Sequence, residues 1–342
     1  MKKKLGAIIV ISLIMLLMMS PSFAGQVMGV LGPIEGDKLG PTLVHEHMAF
    51  GYLSWFADES VVPYDRKKIE AKCLKDLKAV KAVGVKTVVD AGMADVGGRD
   101  PILLKNLAQK SGVNIIMCTG LYWEKEGGSK YYTFLKAMGR NIEDDIYELF
   151  KKEITVGVGK TKVKAGVIKL ASSDPKVTDY EKIVFKAGVR AAKDFGVPII
   201  THNQGPNGAH LDQQEVFLSL GANPKRIMIG HQNDSIDVNY HLRQLEKPDF
   251  FIGFDRTSLR DPKAEDCIIE LVKKGHAHRI LLAHDSIGVW LGRTFAFPPR
   301  YADWYPTYIH KKLIPKMKEA GVTDDQINTM LVDNPRRLLT GE

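Results

Sequence analysis

Cysteine is scarce in this 342-residue chain, which has Cys73, Cys118 and Cys267 and no others. Being odd in number, far apart and each set in an apolar-periodic stretch, they exclude a disulfide framework and read as buried free thiols. A Gly-rich phosphate turn after the first strand candidate is also missing, which argues against a doubly wound nucleotide fold. Nor is there a block of like charge. The formal net charge is +8, of which Lys2, Lys3 and Lys4 supply three, leaving +5. The other basic residues are interleaved with acids, as in "DRKKIEAKCLKDLK", and suit solvated helix faces, not a nucleic-acid stripe. Beyond residue 19 no apolar run is long enough to span a bilayer. No linker, repeat or low-complexity tract divides the chain.

The first residues form a distinct pattern. "MKKK" is basic, "LGAIIVISLIMLLMM" (5–19) is apolar, and Ser22 and Ala24 occupy small-residue cleavage positions. This is a secretory signal over residues 1–24, its apolar run of 15 residues falling short of the roughly 20 that a spanning helix needs. The expectation is one exported domain, 25–342, periplasmic or secreted, with no stable membrane span.

Short apolar runs then alternate with longer amphipathic stretches. The strand candidates are 42–47, 86–92, 114–120, 164–171, 198–203, 226–231, 250–255 and 279–285. Helical patterns lie between them, and three end at Gly84, Gly112 and Gly196, where a helix C-terminus favours glycine. Continuous apolar strands separated by helices imply a parallel sheet covered on both faces, and eight such units close a barrel. The spacing thus predicts a (β/α)8 TIM barrel. "QVMGVLGPIEGDKLG", with turn signals at Gly32-Pro33 and Gly36-Asp37, predicts a short N-terminal β-hairpin capping its bottom.

Polar residues close these apolar runs at their carboxyl ends. His45 and His47 end strand 1, Lys169 strand 4, His202 strand 5, His231 strand 6 and Asp285 strand 8. In a barrel those ends converge on the face that carries active sites. His45 and His47 are two apart, so both side chains share one face of a strand. Four imidazoles and a carboxylate suit divalent cations such as Zn²⁺, and also Mn²⁺, Co²⁺ or Fe²⁺. Five ligands exceed one tetrahedral site and suit two metals with a shared bridge. A buried lysine ammonium is costly and cannot ligate, whereas a lysine carbamylated by CO2 presents two oxygens that bridge two cations. Hydroxide held between the metals would be the nucleophile, with Asp285 accepting its proton.

With these residues in place, the chain resembles the phosphotriesterase-like family (phosphotriesterases and phosphotriesterase-like lactonases) of the amidohydrolase superfamily. The likeness runs through "VLGPI", "TLVHEH", "VVDAG", "TGLYW", "VIKLA", "ITHN", "IGHQND", "IGFDR", "LLAHD" and "LVDNPRRLL". It implies a TIM barrel with a binuclear metal centre. His45, His47 and Asp285 would hold the buried metal, His202 and His231 the exposed one, and Lys169, as N6-carboxylysine, would bridge them. Arg256, where phosphotriesterases carry His, and Tyr122 resemble the lactonase branch, although Thr257 stands where those lactonases carry an aromatic. Homodimerisation is implied by the resemblance alone.

Arg256 has Asp234 and Asp255 as candidate partners. The segment after strand 8, "SIGVWLGRTFAFPPRYADWYP", is long and aperiodic, as functional loops are. It carries Trp290, Phe295, Phe297, Tyr301, Trp304 and Tyr305. With Tyr122, Trp123 and Arg256, the first three of these make the expected substrate pocket, while the last three either join the lid or pack on the barrel. An apolar lid favours an acyl or aryl group on a small-molecule substrate. The expected activity is hydrolysis of a lactone or related ester, with promiscuous attack on organophosphate triesters, Asp285, Arg256 and Tyr122 being the catalytic candidates. The alternatives are a dedicated aryldialkylphosphatase and a non-catalytic exported metal-binding protein. Mononuclear deaminases need no bridging lysine, so Lys169 argues against them.

Overall fold

The computed structural model describes residues 25–52, 64–292 and 297–342. The expected signal segment 1–24 and Phe295 lie outside them. Among the described residues no helix is long and apolar enough to cross a membrane.

Every expected strand is present. After a hairpin of β1 (Gln26–Gly29) and β2 (Gly32–Glu35) come β3 (Thr42–Phe50), β4 (Thr87–Asp90), β5 (Asn114–Leu121) and β6 (Val167–Ser172). They are followed by β7 (Ile199–Asn203), β8 (Ile227–Ile229), β9 (Phe251–Phe254) and β10 (Ile280–Leu282). Strands β3 to β10 pair in sequence order, all parallel, as a (β/α)8 barrel requires. All eight are buried along their length, apart from the half-buried Asn114 that opens β5, which is why they read as near-continuous apolar runs. Gly112 and Gly196 end their helices in the left-handed conformation, at φ 68° and 67°.

One strand was not expected. β11 (Ile287–Trp290) pairs parallel with the outer half of β3. It continues β10 after a break at 283–286, where Asp285 has φ 52°. The eighth barrel strand is therefore interrupted: β10 pairs with β9, and β11 with β3. Asp285 N–H donates to His45 O at 3.1 Å and His47 N–H to Ser286 O at 2.8 Å, closing the barrel between them.

Inside the barrel the side chains are layered. Val44, Val89, Ile116, Cys118, Val167, Ile200, Met228, Phe251 and Leu281 fill the lower part. Val27 of the hairpin packs into the same cluster with Leu39, Leu338 and Leu339, so the hairpin does close the bottom. The outward faces of the strands join the helices in a larger core. Cys73, Cys118 and Cys267 are free and buried, as expected.

One glycine is fixed by this packing. Gly120 on β5 has φ 140°, and a Cβ there would meet Lys169 O at 1.7 Å. Gly120→Ala should therefore destabilise the fold by about 3 kcal/mol or more, through backbone strain and overpacking. Urea unfolding midpoints at unchanged m-value would show it.

Candidate metal centre

The upper layer of the barrel is polar, and a bulge puts it there. Leu43 pairs with Val88 but Glu46 with Asp90, so β3 carries one extra residue between them. Without the bulge, Val44 facing inward would turn His45 outward. With it, His45 and His47 both face the axis and Glu46 faces away.

The six sequence candidates come together. His45 Nε2 and His47 Nε2 lie 3.3 and 3.2 Å from Asp285 Oδ1, and His231 Nε2 lies 4.0 Å from Oδ2. His202 Nδ1 is 2.7 Å from His231 Nε2. Lys169 Nζ is 2.9 Å from His45 Nε2 and donates to Thr201 O at 3.1 Å. His45, His231 and Asp285 bring donor atoms within 4.8 Å of one another. That trio spans both ligand sets implied by the resemblance, so the six side chains form one contiguous cluster.

Two of these ligand candidates, His231 and Asp285, sit at positive φ, 62° and 52°. Both conformations are sparsely populated for residues with a side chain and persist where surrounding contacts over-determine them. Asp255 supplies such contacts at His231: its Oδ1 accepts from His231 N–H at 2.5 Å and faces His231 Nδ1 at 3.0 Å. Its Oδ2 accepts from His45 Nδ1 at 2.6 Å. One carboxylate thus fixes two imidazole rings with their Nε2 atoms turned inward, as outer-shell acids do for histidine ligands. Glu46 acts likewise at Asp285. Its carboxylate accepts from His284 N–H (3.0 Å) and from the N–H and hydroxyl of Ser286 (2.8 and 2.5 Å), and its Oε1 lies 2.7 Å from His284 Nδ1.

The donor set fits divalent cations. His47 Nδ1 and His202 Nε2 are buried with no hydrogen-bond partner. Burial, with the charges of Lys169 or Arg256 nearby, pushes the His45, His202 and His231 pKa values down, so the rings stay neutral. Burial opposes ionisation of Asp285, but His45, a hydrogen bond from His47 and Arg256 outweigh it and hold its pKa well below the usual range. Burial lowers the Lys169 amine to about 8. Neutral imidazoles and an ionised carboxylate are the states in which these groups ligate.

Arg256 resolves its two candidate partners. Nη1 donates to Asp234 Oδ2 at 2.7 Å and Nε to Asp285 Oδ2 at 3.1 Å, while Asp255 serves the histidines. Burial opposes the guanidinium charge, but Asp234, Asp285 and Asp255 more than restore it.

The cluster forms the floor of a cavity of about 360 Å³. Tyr122, Trp290, Phe50 and Met93 line its walls, and Phe297, Tyr301 and Trp304 cover it. The Tyr122 ring lies 4.8 Å from that of His202. Trp123 is not among the described lining residues: it shares a buried cluster with Phe50, Met93, Val96 and Tyr122, and its indole N–H donates to Glu126 at 3.1 Å. Of the lid aromatics, Tyr301 and Trp304 line the cavity, whereas Tyr305 packs on Tyr308.

A profile of the phosphotriesterase family matches residues 25–339, nearly all of the chain beyond the expected signal. The chain belongs to the phosphotriesterase family. An aryldialkylphosphatase from Saccharolobus solfataricus is 30% identical over 315 residues, 90% of this chain and 97% of that one. Among solved structures, an organophosphorus hydrolase from Deinococcus radiodurans superposes with a TM-score of 0.89 at 38% identity, covering 92% of this chain and 97% of that one. A mutant of a phosphotriesterase-like lactonase from the same organism gives 0.88 at 38% identity, covering 92% and 99%. This phosphotriesterase-family chain is therefore a metal-dependent hydrolase acting on small molecules.

Sequence reasoning missed Glu46 and considered Asp255 only as a partner for Arg256. Asp255 closes an apolar run as Asp285 does, so the same criterion would have flagged it. Glu46 carries no such signal, because its partners lie 238 and 240 residues away.

Proposed function

We propose that this family member opens lactones or related esters at a two-cation site and attacks organophosphate triesters as a side activity. The supporting observation is the Asp285 carboxylate, shared between the histidine cluster and Arg256 on the floor of an aromatic-walled cavity. His45, His47 and Asp285 would hold one cation, His202 and His231 the other, and Lys169 would bridge them as N6-carboxylysine. Zn²⁺ is the first candidate. When bound, the cations would acidify water and polarise the substrate carbonyl.

The chain's own residues do the rest. The neutral Lys169 amine adds to the carbon of CO2 and loses one proton, giving a carbamate. Asp285 accepts the proton of the attacking water as the water oxygen bonds to the acyl carbon, and returns it to the leaving alkoxide as the acyl C–O bond breaks. Arg256 keeps Asp285 ionised and oriented, with Asp234 anchoring it from behind. Tyr122 stays protonated, since burial raises its pKa well above 10, and offers its phenol to the substrate.

Proton release on lactone opening, run beside hydrolysis of a neutral aryl dialkyl phosphate, tests this reading. Metal-loaded protein should turn over lactones at least about tenfold better in kcat/KM, about 1.4 kcal/mol in transition-state binding. The reverse ranking would make it a dedicated aryldialkylphosphatase.

A further inference from the structure

At the cavity floor the Arg256 guanidinium meets two carboxylates, Asp234 and Asp285; at the mouth a second guanidinium is less well matched. Arg260 lines the mouth beside Leu259, Phe297 and Tyr301, with its side chain 42% exposed. Its Nε donates to Asp234 Oδ1 at 2.7 Å, while Oδ2 of the same carboxylate is taken by Arg256. A single buried acid therefore serves two guanidiniums. Arg256 has Asp285 as a second acid; Arg260 has none among the described residues. The described cavity lining contains one carboxylate, Asp285, and it lies on the floor. The Arg300 guanidinium sits 4.8 Å over the ring of Tyr301, one of the lining residues.

The chain is bent to place Arg260 there. Leu259 N–H donates to Arg256 O at 3.0 Å, closing a tight turn, and Ser258 within it has φ 70°. That turn brings Arg260 back beside the Asp234 that anchors Arg256. With Nε occupied, the guanidinium keeps its two terminal nitrogens, the pair that meets an oxyanion in a fork. An apolar acyl chain would gain nothing from this cation and would have to leave it solvated.

We propose that Arg260 forms an anion subsite, and that the substrate is a lactone or ester carrying an oxyanion group, such as a carboxylate, away from its scissile bond. This rests on the hydrolase reading of the floor and adds a charged end to the substrate. The anionic tail pairs with Arg260 at the rim while the acyl carbon reaches Asp285. Because the site is half open to water, the gain is moderate and sensitive to salt.

The test compares two γ-lactones with the same side chain, one ending in a carboxylate and the other in the neutral primary carboxamide. In the metal-loaded protein the carboxylate lactone should show a kcat/KM about tenfold higher, mainly through KM, the ratio shrinking as NaCl is added. Arg260→Gln should bring the ratio close to one, and Arg260→Lys should keep part of it. Any general disturbance of Asp234 affects both substrates and cancels in the ratio. A wild-type ratio at or below one, or one that Arg260→Gln leaves intact, overturns the subsite. Should neither lactone open, the hydrolase reading fails, and calorimetric binding of adipate against hexanoate decides the subsite separately. Adipate should then bind about tenfold tighter, with the difference lost in Arg260→Gln. Equal binding overturns the proposal.

Discussion

Replacing Lys169 by methionine should strip the protein of bound divalent metal and of turnover together, while leaving it folded. The amine is buried 2.9 Å from His45 Nε2 and in line with Thr201 O, at the centre of the histidine cluster. Methionine is nearly as long and offers no oxygen, so the bridge between the two ligand sets disappears. Turnover should fall by about 10³-fold or more, the scale of losing several kcal/mol of transition-state charge stabilisation. Thermal stability without metal should hold or rise, because a buried amine gives way to an apolar side chain. Lys169→Glu returns a carboxylate and should keep part of both metal and activity, with no response to added bicarbonate. The wild type should respond. Its amine titrates near 8, so at fixed dissolved CO2 the neutral fraction, and with it the rate of reconstitution, should rise about tenfold per pH unit below that value. Metal analysis, mass spectrometry for one added CO2, and melting curves read all of this. Full metal content and activity in Lys169→Met would remove the carbamate from the scheme.

Asp285→Asn should cost about 10³-fold in kcat with little change in KM, the usual scale for losing a positioned proton acceptor. Asparagine is isosteric and tolerates the left-handed backbone that Asp285 adopts at φ 52°, so the kinked strand should survive. A pure metal-binding protein would instead keep its ligand affinity and show no turnover to lose. The pH profile adds a second readout. His45, His47 and Arg256 hold the Asp285 carboxylate ionised well below its usual range, so this group should stay a competent base into acid. An acid limb of kcat/KM assigned to Asp285 should therefore lie below the ordinary carboxylate pKa of about 4. Near-normal turnover by Asp285→Asn would reassign the base.

The barrel was legible because its strands are buried on both faces and so read as unbroken apolar runs between amphipathic helices. The six ligand candidates were legible because each interrupts or ends such a run with a group that burial would otherwise penalise. Local pattern goes no further. Two-residue spacing places His45 and His47 on one face, but which face depends on a bulge that leaves no mark in "TLVHEH". β11 was hidden because Asp285 and Ser286 read as the end of a strand, not as a break within one. Trp123 was drawn into the pocket by its neighbour Tyr122, both lying just past the end of β5, where period-two alternation no longer applies. Glu46 and Asp255 matter through distant partners, which sequence proximity does not encode.

A closed sheet has no free edge from which to peel, so a barrel ordinarily opens all at once. Here the joint between the last strand and the first is made differently. Across residues 284–286 part of the stitching is the Glu46 side chain, standing in for main-chain ladder bonds. Bonds from a buried carboxylate to main-chain N–H groups are charge-assisted and stronger than neutral ladder bonds, so the break in the last strand is clamped where the ladder is missing. Asp285, His45 and His47 all lie along that joint. The protein keeps its chemistry at the joint of its own hoop, where one carboxylate takes the place of the missing rungs.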